Sequence, residues 1–212
     1  MTHTVVRNNY NSMSRYYDLF ARSEKRFTKI GLRMLNIQPG EKVLEIGFGT
    51  GQSLVDMAYT IKDTGRVYGI ELSDGMVRVA NERIARSGLS SRIDLHLGDA
   101  TTLPFRDNSL DAIFISFTLE LFSTSEIPNV LSECKRVLHQ NGRLGVVAMK
   151  KKECRAVRIY EWVHSRIPSV VDCCPIDVYI QTEAAGFEPI TSTDELMWGL
   201  PVEIMIARKS GQ

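Results

Sequence analysis

The stretch Val43-Leu44-Glu45-Ile46-Gly47-Phe48-Gly49-Thr50-Gly51-Gln52 constrains this chain more than any other. An apolar run that ends in three alternate glycines describes a buried strand feeding a tight, backbone-exposed turn. Glycine lacks Cβ, so it adopts positive φ and lets a ligand approach the main chain closely. After Gly51, the residues Ser53-Leu54-Val55-Asp56-Met57-Ala58 place apolar side chains at helical spacing. The turn therefore opens a helix whose free N–H groups face the ligand. Strand, glycine turn and helix in that order read as a nucleotide-type cofactor site.

Two departures narrow the cofactor. The dinucleotide fingerprint Gly-x-Gly-x-x-Gly sets pyrophosphate on the helix N-terminus, whereas here the third glycine comes one residue early and Gln52 takes its place. No Gly-Lys-Ser/Thr ending is present, so there is no lysine for β- and γ-phosphates. Glu45 would repel a phosphate but suits a cation such as the ammonium of an amino acid. The pattern favours a nucleoside with an amino-acid tail.

Around this site the pattern alternates. Residues 12–36 predict one or two helices closed by Pro39-Gly40, followed by strand 42–47, helix 51–62, strand 66–71, helix 74–87, strands 92–97 and 110–117, helix 125–139 and strand 143–149. Such alternation implies a doubly wound α/β fold with right-handed crossovers and the ligand at the carboxyl ends of the strands. Helices over 153–166 and 176–185 come next. Two β-like runs at 188–198 and 202–208, joined by Gly199-Leu200-Pro201, predict an antiparallel hairpin at the sheet edge.

With 212 residues, 43% hydrophobic and 24% charged, the expectation is one globular domain. Its parts are a helical cap (1–36), a cofactor-binding core (38–150), acceptor-side helices (151–187) and a C-terminal hairpin (188–212). No apolar run approaches the ~20 residues of a membrane span, and the polar N-terminus has no signal-peptide core, so a cytoplasmic protein is expected. The net charge of +1 provides no global field for nucleic acid. Residues 7–33 are nevertheless basic, with Arg7, Arg15, Arg22, Lys25, Arg26, Lys29 and Arg33 against Asp18 and Glu24. With Phe20, Phe27, Ile30 and Met34 on one face, this helix can rest on an anionic membrane surface, or pack with a solvated basic face. Cys134, Cys154, Cys173 and Cys174 show no C-x-x-C spacing, so no metal site is expected.

Three further positions turn the loop into a site. Glu71 ends the second strand, where a carboxylate can accept both hydroxyls of a ribose. Gly98-Asp99-Ala100 ends the third and offers a carboxylate to an adenine amino group. Ser116-Phe117-Thr118 ends the fourth and forms the opposite wall. The cofactor-binding candidates are thus Glu45, Gly47, Gly49, Gly51, Glu71, Leu72, Met76, Asp99, Ala100 and Ser116.

These residues resemble the class I S-adenosylmethionine-dependent methyltransferases. Glu45, Gly47, Gly49 and Gly51 match the family's Glu-x-Gly-x-Gly-x-Gly motif; Glu71 matches its ribose acid and Asp99 its adenine-side acid. Leu103-Pro104-Phe105-Arg106-Asp107-Asn108-Ser109-Leu110-Asp111 is similar to a further family segment. Glu133-Cys134-Lys135-Arg136-Val137-Leu138 is similar to another, although His139-Gln140-Asn141-Gly142-Arg143 lacks the proline and second glycine usual at that turn. The resemblance implies a Rossmann-like seven-stranded sheet, mostly parallel with an antiparallel last strand, a helical N-terminal cap, and S-adenosylmethionine as cofactor.

The nearest likeness is to ubiquinone/menaquinone-type C-methyltransferases and phospholipid N-methyltransferases, to which Tyr17-Asp18 and the insert before the last helix point. It implies an enzyme that methylates a small, apolar or lipid-like acceptor such as a prenylated quinol. N- or O-methylation of a phospholipid or small metabolite, thiophilic acceptors at Cys173-Cys174, and non-catalytic cofactor binding are the alternatives. Phe48, Phe117, Phe122, Tyr160 and Trp162 can supply a dry pocket. Glu120, lying in an apolar stretch that can raise its pKa, His164 and Tyr17 are the candidate catalytic bases.

Overall fold

The computed structural model describes residues 14–151 and 175–210, with side chains from residue 23 onward. The strands are β1 (Lys42–Ile46), β2 (Arg66–Glu71), β3 (Ile93–Leu97), β4 (Leu110–Ser116), β5 (Leu138–Met149), β6 (Phe187–Met197) and β7 (Leu200–Lys209). The helices are α1 (Ser14–Leu35), α2 (Gln52–Ile61), α3 (Asp74–Ser87), α4 (Ile127–Val137) and α5 (Val178–Ala184).

Buried on both faces, the central strands need helices above and below. Val43, Phe114 and Val147 turn to one side, where they meet Phe27 and Leu35 of α1, Leu54 and Met57 of α2 and Ile84 of α3. Their neighbours Leu44, Ile113 and Val146 turn to the other and meet Val130, Leu131 and Cys134 of α4 and Val178 of α5. The period of two along each strand thus builds two apolar layers from one sequence.

The sheet order is β3-β2-β1-β4-β5-β7-β6. Strands β1 to β5 pair in parallel, while β7 is antiparallel to both β5 and β6. The seven-stranded sheet with an antiparallel last strand is as expected. Strand order reverses between β1 and β4, so the loops after these two strands diverge and open a crevice.

α1 docks across β4 and β5 through a close approach at Gly31, where an added Cβ would lie 2.6 Å from Val147 Cγ2 and 3.0 Å from Phe114 Cε2. Arg143 secures the C-terminal end of α1 by donating to the Leu35 carbonyl at 3.0 Å and pairing with Glu41 at 2.7 Å.

Two boundaries differ from the sequence reading. The helix expected over 125–139 stops at Val137, and β5 begins at Leu138 instead of residue 143. The backbone N–H groups of Asn108 and Ser109 donate to the Arg136 and Val137 carbonyls at 3.0 and 2.8 Å, so the chain entering β4 caps α4 and Leu138 is already extended. The hairpin turns at Trp198-Gly199 rather than at Gly199-Leu200-Pro201. Both turn residues have positive φ, 53° and 84°, as a two-residue hairpin loop requires, and Pro201 pairs with Leu196 within the strands. The helix expected over 153–166 lies outside the described residues.

Arg136 holds the segment between β3 and β4 onto α4. It donates to the Leu103 and Phe105 carbonyls at 3.0 and 2.8 Å and pairs with Glu133 and Asp107, each at 2.7 Å. Glu133 in turn accepts the Leu103 N–H at 2.7 Å. Arg136→Ala strands two carbonyls and a carboxylate, so we expect a loss of about 2 kcal/mol in unfolding free energy, read by urea denaturation.

Candidate cofactor site

The site is built where β1 ends. Gly47, Gly49 and Gly51 have φ of 70°, 51° and 74°, so the chain turns back on itself before α2 begins at Gln52. Position 47 admits no side chain: a Cβ there would fall 2.3 Å from Thr118 Cγ2. The Thr118 hydroxyl donates across the crevice to the Gly47 carbonyl at 3.3 Å and to the Ser116 carbonyl at 3.0 Å. Gln52, standing where the dinucleotide motif has glycine, accepts from Arg83 at 2.6 Å and donates to Asp56 at 3.0 Å, tying α2 to α3.

Glu71 reaches from the end of β2 to organise this loop. One carboxylate oxygen accepts the Gly49 N–H at 3.0 Å and the other the Ser73 N–H at 3.0 Å. Ser73 is the N-cap of α3, accepting from the Met76 N–H at 3.3 Å. A carboxylate offers about four acceptor sites, so Glu71 can still receive two ribose hydroxyls. Leu72 beside it is 38% exposed at the rim, able to cover one face of a base. Met76 is half-buried. Asp99 accepts the Thr101 N–H at 2.9 Å through one oxygen, and Ala100 is buried behind it.

Glu45 differs from these acids in being buried, 2% exposed. One of its oxygens accepts from the Ser53 hydroxyl, while the other, Oε2, has no hydrogen-bond partner. Burial pushes its pKa up to about 8, with the carboxylates of Glu71 and Asp56 adding to the rise and Ser53 opposing it. An orphaned buried carboxylate oxygen beside a glycine turn is what a cationic ligand group would satisfy. Glu45, the glycine loop, Glu71 and Asp99 therefore fit a nucleoside with an ammonium-bearing tail.

Across the crevice, Ser116 at the end of β4 shares a 2.8 Å hydrogen bond with Thr28 of α1. Phe117 adopts φ 50°, a conformation costing a bulky residue about 1–3 kcal/mol, and its ring meets Phe27 edge-on at 6.3 Å. Glu120 lies just beyond in a short 3₁₀ turn, 2% exposed. Its Oε1 accepts the Met149 N–H at 3.1 Å, and its Oε2 has no partner. Burial is the main cause that raises its pKa to about 7, and Glu24 contributes.

Of the expected site residues, those on β1 to β3 gather around the glycine loop, and Ser116 and Glu120 lie across the crevice. The side chain of Tyr17 and all of His164, Tyr160 and Trp162 lie outside the described residues, as do Cys154, Cys173 and Cys174. Phe48 is buried in the core beneath the sheet instead of lining a pocket. The sequence reading gives no site role to Ser53 or Thr28, and it names Thr118 only as part of the opposite wall, without its contact to Gly47. A hydroxyl at the start of the helix after a glycine turn was the one local signal, for Ser53.

A model of the family described as "Methyltransferase domain" matches residues 43–142, the span of this loop and its acids. Demethylmenaquinone methyltransferase of Symbiobacterium thermophilum is 31% identical over 160 residues, 75% of this chain and 62% of that protein. Over residues 43–142 the chain is similar to the S-adenosylmethionine-dependent methyltransferases.

The ubiquinone/menaquinone biosynthesis C-methyltransferase of Teredinibacter turnerae is 30% identical over 68% of this chain and 59% of its own length. The chain thus spans about three fifths of the curated methyltransferases it matches. A crystal structure of an S-adenosylmethionine-dependent methyltransferase from Aquifex aeolicus shares the fold at a TM-score of 0.66 and 22% identity, covering 86% of this chain and 89% of that one. The cofactor of this methyltransferase family is S-adenosylmethionine.

The geometry sets two expected outcomes. Gly47→Ala drives a methyl group into Thr118 and strains a positive φ, so it should weaken S-adenosylmethionine binding at least about 10-fold while leaving the far-UV spectrum intact. In the ligand-free protein Glu45 titrates near 8 against an ordinary 4.5. The folded state therefore keeps a proton that the unfolded chain releases, and stability falls as pH rises through that interval. An ammonium placed at Oε2 reverses the shift. Calorimetry at pH 7 in buffers of different ionisation enthalpy should register about one proton released per cofactor bound, and none in Glu45→Gln.

Proposed function

We propose that this protein transfers a methyl group from S-adenosylmethionine to a small, apolar or lipid-like acceptor, of which a prenylated quinol is the leading example. One observation carries this reading: the carboxyl edge of the sheet is divided. Glu45, Glu71 and Asp99 occupy the β1 to β3 side, suited to the cofactor's polar ends. Beyond the switch point the segment after β4 is apolar, with Phe117 against Phe27 in one layer and Leu119 and Phe122 in the other, and it carries the buried carboxyl of Glu120. The cofactor supplies an electrophilic methyl on a sulfonium, and an apolar wall suits a transfer in which charge is lost. Alignment of donor and nucleophile accounts for most of the remaining rate.

In this reading Glu45, Gly47, Gly49, Gly51, Glu71, Leu72, Met76, Asp99, Ala100 and Ser116 hold the cofactor. Residues 1–36 and 151–187 shape the acceptor pocket around it, and Glu120, Tyr17 and His164 are the candidate bases. The names of the relatives, for demethylmenaquinone and for ubiquinone/menaquinone biosynthesis, support a quinone-type acceptor. A lipid-like acceptor also gives the basic face of α1 a use. Lys25, Arg26, Lys29 and Arg33 are exposed and line an outward groove of about 460 Å³, a surface suited to anionic headgroups. The protein would then be cytoplasmic and meet the membrane peripherally.

The test is incubation of the pure protein with methyl-labelled S-adenosylmethionine and a cell extract, and then partition between organic and aqueous phases. We expect label in the organic phase, on a quinol or prenyl compound. Label on a phospholipid amine moves the acceptor to that class, and label confined to the aqueous phase overturns the lipid-like acceptor. Cofactor binding without label in either phase points to a non-catalytic cofactor-binding protein.

A further inference from the structure

The tip of the β6–β7 hairpin carries apolar side chains that the core does not use. Leu196 and Trp198 are 66% and 55% exposed on either side of Met197, which is buried. Trp198 stands at the turn itself with φ 53°, where glycine or asparagine is the usual residue. A bulky aromatic held in that costly conformation and left half in water gives the fold little buried area in return. An indole and a leucine side chain on an exposed turn suit the boundary between water and hydrocarbon instead.

The tip adjoins the basic side of α1. Three residues before the turn, Glu195 accepts from Arg26 at 3.2 Å. Met149, the last residue of β5, lies opposite Val202 of β7, so the turn stands at the carboxyl edge of the sheet, where Thr28 of α1 also meets Ser116. From Arg26 the cations run back along α1. Lys25, Arg26, Lys29 and Arg33, spread over about 12 Å of helix, line an open groove of about 460 Å³ together with Ile30. Among the described residues, Lys25, Lys29 and Arg33 pair with no acid. The acids of β6 are all answered within the chain: Glu188 by Arg208 at 2.7 Å, Asp194 by Lys150 at 2.8 Å and Glu195 by Arg26. The combined surface therefore has an apolar end, a row of uncompensated cations and no free carboxylate from β6 to repel an anion.

We propose that the hairpin tip and the basic stripe of α1 form one docking surface for an anionic phospholipid bilayer, with Leu196 and Trp198 entering the interfacial layer and Lys25, Lys29 and Arg33 meeting headgroup phosphates. The inference rests on the proposed function and deepens it by adding the hairpin to the helix face named there. Neither half suffices alone. Surface cations attract any polyanion and lose their hold as salt screens them, and two apolar side chains cover too little area to keep a protein on a bilayer. Apolar burial and attraction to anionic lipid add when both act on one membrane, and the Arg26–Glu195 pair keeps the two halves together. Because the tip shares the carboxyl edge with the crevice, docking would bring the acceptor side of the site to the layer from which a lipid-like molecule enters.

Co-sedimentation of the full chain with vesicles tests the surface without cofactor or acceptor. Phosphatidylcholine vesicles containing about 30% phosphatidylglycerol should hold the protein at least about 10-fold more tightly than phosphatidylcholine alone, and less so as salt rises. Lys25→Glu/Lys29→Glu/Arg33→Glu should weaken binding to the anionic vesicles at least about 10-fold. Leu196→Thr/Trp198→Gly, which suits a strand and a positive φ, should weaken it about 5-fold or more. Affinity for S-adenosylhomocysteine within about twofold of the parent shows that each variant is folded. No preference for anionic vesicles overturns the surface. A preference that the charge variant removes and the hairpin variant leaves unchanged reduces it to a general polyanion patch and overturns it too. The acceptor fails separately: vesicle binding with methyl label confined to the aqueous phase sinks the lipid-like acceptor and leaves the docking surface standing, whereas organic-phase label without vesicle binding keeps the acceptor and removes the surface.

Discussion

The contact between Gly47 and Thr118 is the constraint on which the rest of the site depends. β1 and β4 are adjacent, but their loops run to opposite sides, and that divergence would leave an open gap if nothing crossed it. Thr118 crosses it by placing its side chain where any Cβ at position 47 would sit. To do so the chain leaves β4 through Phe117 in a left-handed conformation. Contacts on either side of Phe117 hold that strain, since Leu119 is fully buried and the Phe117 N–H donates to the Val147 carbonyl at 2.7 Å. Gly47 is tied on its other side, its N–H donating to the Ile70 carbonyl at 2.9 Å. The floor of the crevice is therefore fixed relative to β1, β2, β4 and β5 together, and a small error at residue 47 would reach all four.

The buried acids divide by how their oxygens are satisfied. Glu203 accepts the Val178 N–H at 3.2 Å with one oxygen and has Lys150 3.7 Å from the other, so it is accounted for within the fold, joining α5 to β7. Glu45 and Glu120 each have one satisfied oxygen and one that meets nothing. They flank the switch point from opposite sides, one on β1 and one after β4. An uncompensated buried carboxyl weakens the fold unless it is protonated or a ligand completes it. Keeping two such groups at the same edge concentrates unmet polar demand where a cationic tail and a proton-losing acceptor would meet.

Legibility in the sequence tracked the range of the interactions. The glycine loop, Glu71 and the strand-helix rhythm could be read because each is encoded within a few residues by periodicity or by a turn requirement. Glu120 was visible as an acid in the apolar run Phe117-Thr118-Leu119-Glu120-Leu121-Phe122. The features that escaped depend on partners distant in the chain. The end of α4 is set by N–H groups of Asn108 and Ser109 near thirty residues earlier, and apolar periodicity alone carries the helix past it. Thr28 is bonded to Ser116 across 88 residues, so nothing local marks Thr28. The hairpin turn was misread because Trp198, a bulky residue, occupies a positive φ where glycine or asparagine is the usual signal.

The described part of α1 packs on the sheet and leaves a solvated basic face, because a helix presents a different set of residues to each side. Phe27, Gly31 and Leu35 face the sheet, while Lys25, Lys29 and Arg33 are exposed. Attachment is uneven along its described length. The C-terminal turns interlock at Gly31 with Val147 and Phe114, and Arg143 clamps the Leu35 carbonyl. Nearer the cleft, the polar links are the Thr28–Ser116 hydrogen bond and an exposed Arg26–Glu195 pair, of a kind that contributes little. Local opening draws on the least stabilised contacts first. The cleft-side turns of α1 thus rest on the buried Phe27 ring and the Thr28–Ser116 bond, whereas the turns near Leu35 are interlocked with the sheet and clamped by Arg143.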